Sequence, residues 1–69
     1  MEKFLLSGKE YIPLCDLLKV LGLCEHGGHA KQVISDGLVK VDNQVELRKR
    51  CKIKTGQIIE FDNQKVEVK

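Results

Sequence analysis

The chain has no tryptophan, one tyrosine and two phenylalanines. Three rings, at Phe4, Tyr11 and Phe61, are too few for a ladder on which successive single-stranded bases could stack. No apolar run approaches the roughly 18–20 residues needed to span a bilayer. Lys9 and Glu10 closely follow Phe4-Leu5-Leu6, so this stretch does not read as a secretory leader. Cysteine is sparse and odd in number, at Cys15, Cys24 and Cys51, which argues against a disulfide-stapled secreted module. The expected setting is a reducing cytoplasm, with no membrane partner.

The usual marks of catalysis are also missing. There is no phosphate-binding glycine loop, no Ser-His-Asp arrangement and no close pair of carboxylates on one helix face. Asp36 and Asp42 read as helix-end and turn residues. Catalytic residues are expected to be none. Cys24, His26 and His29, with Cys51 as a fourth, are residue types that can ligate zinc, but their spacing fits no tight zinc pattern. No metal and no cofactor are expected. Cys51, flanked by Arg50 and Lys52, is expected to carry a stabilised thiolate if it lies at the surface.

What remains is a short, charged, folding chain. Its 69 residues are 42% hydrophobic and 32% charged, a globular composition with room for one small core. Residues 1–69 are expected to form a single domain and to act as a monomer. The net charge is only +2, but its distribution is uneven. Arg48-Lys49-Arg50-Cys51-Lys52-Ile53-Lys54 holds five cations and no anion, leaving the other 62 residues at −3. A concentrated basic segment sits on a mildly acidic body.

The periodicity changes along the chain. Phe4 and Leu6 stand two apart, a weak signal for an edge strand. Pro13 opens a helix over 12–21, with Leu14, Leu17, Leu18 and Leu21 on one face and Gly22 as its stop. A second helix over 29–36 turns Ala30, Val33 and Ile34 inward and ends at Gly37, with glycine taking the place of a polar cap at its start. From Leu38 the period becomes two. Val39 and Val41, then Val45 and Leu47, share one face if Asp42-Asn43-Gln44 is a three-residue loop. Asp62-Asn63-Gln64 repeats that loop between Ile59 and Phe61 and Val66 and Val68, and Lys54-Thr55-Gly56-Gln57 makes a further turn. The order predicts an α+β fold, two short helices packed on a small, mostly antiparallel β-sheet of four strands after the helices.

The motifs in this order resemble a known family. They are Leu17-Leu18-Lys19-Val20-Leu21-Gly22, Ala30-Lys31, Ile34-Ser35-Asp36-Gly37, Val39-Lys40-Val41-Asp42-Asn43, the run Arg48 to Lys54, and Gly56. From Leu14 to Phe61, about 48 of the 69 residues, the chain is similar to the RNA-binding domain first recognised in ribosomal protein S-four, the alpha-L fold. Leu14-Cys15-Asp16-Leu17-Leu18-Lys19, Gly28 with Ala30-Lys31, and Glu46 with Arg48 to Ile53 further resemble the small stand-alone bacterial proteins of the YbcJ type. The resemblance implies binding of structured RNA in a ribosomal or transfer-RNA context.

The residues themselves support a phosphate-led interface. Arg48, Lys49, Arg50, Lys52 and Lys54 are its expected centre, because arginine grips phosphate bidentately and lysine acts as a point charge. If 45–50 is extended, Arg48 and Arg50 point one way and Lys49 the other. Lys31 and Lys40 could enlarge the surface, and Gly27 and Gly28 would let a phosphate approach the first amides of the second helix. The rival reading, from another class, is an adaptor that docks an acidic protein on the same basic edge.

Overall fold

The computed structural model describes all residues, Met1 to Lys69. Its elements are β1 Glu2–Phe4, β2 Ile12–Pro13, α1 Leu14–Val20, α2 Gly27–Ser35, β3 Lys40–Val41, β4 Gln44–Val45, β5 Lys52–Ile53, β6 Ile58–Phe61 and β7 Gln64–Val68. A five-stranded sheet runs in the order β1-β7-β6-β3-β4, with β1 parallel to β7 and the other pairs antiparallel. A separate two-stranded sheet joins β2 to β5. The α+β expectation holds, and Phe4 lies on the expected edge strand. The second half carries five strands instead of four, because β5 leaves the main sheet to pair with β2.

Both helices bury the faces that their periodicity defines. Leu14, Leu17 and Leu18 of α1 and Ala30, Val33 and Ile34 of α2 belong to one cluster of 15 buried residues, with Val41, Ile53, Ile59 and Val68 from the strands and Val39 just before β3. No polar or charged side chain is buried with them. The C-terminus of each helix closes alike. The Leu23 amide reaches back to Leu18 O and the Leu38 amide to Val33 O, with Gly22 and Gly37 supplying the positive φ (+76° at each) that this closure needs.

The helix starts differ from expectation. Ile12 and Pro13 pair with Ile53 and Lys52, so α1 begins at Leu14, with the extended Pro13 as its N-cap. Helix α2 begins two residues early, at Gly27. The Nδ1 of His26 accepts from the His29 amide at 3.1 Å and does the work of the missing Ser or Asp. The glycines lie inside the first turn, not before it.

The hairpin loops also need correction. Val41 pairs with Gln44 and Phe61 with Gln64, so each loop is the two-residue Asp-Asn turn, Asp42-Asn43 or Asp62-Asn63. All four residues take positive φ, between 51° and 69°, as a type I′ turn requires and as Asp and Asn tolerate best after glycine. In the second hairpin this register still keeps Ile59 opposite Val66. In the first it sets Lys40 opposite Val45 and turns Val45 and Leu47 out of the core, 52% and 58% exposed. Asp42 fixes the first hairpin to β6: its amide donates to Ile58 O at 2.8 Å and its Oδ1 accepts from the Ile58 amide at 3.0 Å.

The end of α2 yields a stability test. A methyl at Gly37 would lie 3.7 Å from Val45 Cγ1, an ordinary contact, so the strain comes from φ alone. Gly37→Ala is expected to lower unfolding stability by about 1 kcal/mol, read by urea denaturation. An unchanged midpoint would contradict the left-handed closure.

Candidate nucleic-acid interface

The basic run is shaped by backbone bonds. The first amides of α1 have no acceptor within their own helix. Leu14 N donates to Cys51 O at 2.9 Å and Cys15 N to Lys49 O at 3.0 Å. The loop is thereby bound to the start of α1 and β5 to β2. Cys51 and Ile53 go into the core while Arg50, Lys52 and Lys54 between and beside them stay exposed. Successive outward residues of an extended chain stand about 6.6 Å apart, so alternation spreads the charges along one side.

Arg48, Arg50, Lys52 and Lys54 line one surface concavity of about 420 Å³, with Cys51 in its wall. Four of the five expected cations of the run are brought together. Lys49 is not among the lining residues; its backbone carbonyl serves α1 instead. The segment is not the extended strand considered above: Lys49 and Arg50 form a turn, closed by Cys51 N donating to Arg48 O at 3.2 Å. Lys52 Nζ stands 5.1 Å from the centroid of the Tyr11 ring, a cation–π contact that orients this lysine.

The remaining expected residues lie elsewhere. Lys31 is exposed on α2. Lys40 lines a different concavity of about 440 Å³, beside Leu38, Glu60, Phe61, Asp62 and Asn63, and stands across from Glu60 in the sheet. Gly27 and Gly28 lie in the first turn of α2, where their amides have no acceptor among the chain's hydrogen bonds. Cys24 and Cys51 are buried, whereas His26 and His29 are exposed, with ring centroids 6.2 Å apart. The two Nδ1 atoms accept from the His29 and Glu25 amides.

Two features escaped the sequence reading. Glu46 folds onto Arg48: Oε2 accepts from Arg48 Nε at 2.9 Å and from its amide at 3.0 Å, and Oε1 accepts from Nη2 at 3.0 Å. The opposite charges two residues apart were the available signal. The second is the state of Cys51. Cys51 is buried, so the surface position on which a stabilised thiolate depended is not met: burial raises its thiol pKa and Glu46 adds to the effect, outweighing Arg48. Burial likewise raises Cys24.

The Glu46 pair has a pH signature. Hydrogen bonds from Arg48, side chain first and then amide, lower the Glu46 pKa from 4.5 to about 2. A depressed carboxylate stabilises the fold above its unfolded pKa, and that contribution is lost as pH falls through the folded value. Glu46→Gln is therefore expected to flatten the dependence of stability on pH between about 4.5 and about 2 in denaturation curves. Parallel acid limbs in the two proteins would contradict the pairing.

Comparison with known proteins places this geometry. A family model described as the S4 domain matches residues 4–69. The Escherichia coli K12 protein YbcJ is 48% identical over 68 residues, covering 99% of this chain and 97% of its own, and YbcJ of Shigella flexneri matches to the same extent. The solution structure of Escherichia coli YbcJ, described as revealing an alfaL motif involved in RNA-binding, superposes with a TM-score of 0.75 over 99% of this chain and 86% of that one. The 30S ribosomal protein S4e of Thermoplasma acidophilum shares the fold at 21% identity, with a TM-score of 0.62 over 83% of this chain and 30% of that one. The match to the family runs through both helices, the hairpins and the basic loop, and the chain belongs to the S4 domain family.

Proposed function

We propose that the chain binds structured RNA through the concavity formed by Arg48, Arg50, Lys52 and Lys54, without chemistry of its own. The observation that carries this reading is the convergence of four cations on one depression whose backbone is fixed to the core. YbcJ, whose alfaL motif is described as involved in RNA-binding, supports it by its likeness along nearly the whole chain. The sparse aromatics favour readout of shape and phosphate over base stacking. Lys49 extends the contact beside this centre, and Lys31, Lys40 and the Gly27 and Gly28 amides, which lie elsewhere on the surface, are peripheral contacts in this reading. Ribosomal or transfer RNA is the proposed target class, residues 1–69 the binding unit, a monomer its state and the cytoplasm its place. The outward Leu38, Val45 and Leu47 favour a second reading, an adaptor that docks an acidic protein with apolar side chains.

Salt dependence tests the first reading. Each phosphate contact contributes about −0.7 to −0.9 to the slope of log K against log salt, so four contacts give roughly −2.8 to −3.6. Arg50→Ala combined with Lys54→Ala is expected to flatten that slope by about 1.4–1.8, with similar losses on unrelated RNA stem-loops. Lys40→Ala should change it less. Salt-insensitive binding would move the contact off the concavity, and absence of RNA binding at low salt would favour the adaptor.

A further inference from the structure

Glu46 is an anion at the margin of a cationic site, and simple charge counting makes it an obstacle to RNA. The geometry points to the opposite role. The carboxylate is shielded, its side chain 17% exposed, whereas the Arg48 side chain it holds is 77% exposed. Glu46 occupies the Nε and Nη2 side of the guanidinium and also the Arg48 amide, so side chain and backbone of one residue are fixed by one group. Nη2 further reaches Cys51 Sγ at 3.6 Å, a buried atom in the wall of the concavity. The Nη1 end of the fork has no partner in the chain and remains open to an incoming phosphate.

Resting on the RNA-binding reading above, we infer that Glu46 is a positioning residue, which holds Arg48 in the wall of the concavity with the outer end of its guanidinium presented to a phosphate oxygen. A free arginine side chain must be ordered on binding, and this one is ordered beforehand. The carboxylate bonds the Nε and Nη2 side and is much less exposed than the guanidinium it holds. The exposed Nη1 end of the guanidinium is thus the part that an approaching phosphate can meet.

The two roles differ in sign. Fluorescence anisotropy with a labelled RNA stem-loop at fixed salt compares the full chain with Glu46→Gln, Arg48→Ala and the double variant. The positioning role gives Glu46→Gln binding weaker by roughly threefold to tenfold, the cost of ordering one long side chain. In the Arg48→Ala background the same change should matter by less than about twofold, since coupled residues are not additive. Tighter binding by Glu46→Gln overturns the inference, and so does an equal loss in the Arg48→Ala background. Should Glu46→Gln fail to fold, the Arg48 Nε–H resonance of the unaltered protein decides. It should stay slow to exchange with water both free and bound to RNA, and its release from Glu46 on titration would refute positioning. If the unaltered protein binds no RNA, the functional reading itself fails, and this inference with it.

Discussion

Two hydrogen bonds hold the molecule's charged surface in place, those from the Leu14 and Cys15 amides to the carbonyls of Cys51 and Lys49. They satisfy donors that the start of a helix leaves open, and they do so with backbone from the most basic part of the chain. Carbonyls directed at the positive end of a helix are also well placed electrostatically. The seam continues the pairing of β2 with β5, in which Ile12 stands opposite Ile53 and Pro13 opposite Lys52. Together with the burial of Cys51 and Ile53 it fixes the loop that carries Arg50, Lys52 and Lys54.

The seam also explains how so concentrated a charge is tolerated. Four cations around one depression repel one another, and repulsion favours a loop that splays apart. Burial of Cys51 and Ile53 opposes this, and so do the cation–π contact of Lys52 with Tyr11 and the pairing of Arg48 with Glu46. The cation–π contact and the ion pair lie at the surface and are individually modest. Their effect is to select among arrangements of a segment that the core has already placed.

Much of the fold was legible in the residues, because helical faces are written in side chains. Leu14, Leu17 and Leu18, and Ala30, Val33 and Ile34, lie where a 3.6-residue period puts them. The hairpin register differs from the side-chain alternation for a physical reason. Keeping Val45 and Leu47 in the core requires three loop residues, but Asp-Asn adopts the left-handed conformation readily enough to make the tighter turn. Local turn chemistry outweighed the burial of two apolar side chains, which are left exposed beside the basic run. The His26 cap was missed because histidine is not among the favoured capping residues.

Of the candidate site, the cations were legible and their arrangement was not. Composition identifies Arg48 to Lys54, but the seam consists of amides and carbonyls, which every residue possesses and no side-chain pattern reports. Lys31 and Lys40 were grouped with the run by charge, and the fold sets Lys40 beside Glu60 on the sheet. Glu46 looked like one polar residue of an alternating strand. Its amide does continue the pairing, to Val39 O, but its carboxylate meets Arg48 two residues on.

Amide hydrogen exchange followed by NMR tests the seam most directly. First-turn amides of a helix ordinarily exchange freely, and Gly27 and Gly28 at the start of α2 provide that comparison within the same molecule. Leu14 and Cys15 are expected to be protected nearly as strongly as the slowest core amides. Exchange of Leu14 and Cys15 as fast as that of Gly27 and Gly28 would contradict it, because the basic loop would then not be bound to α1.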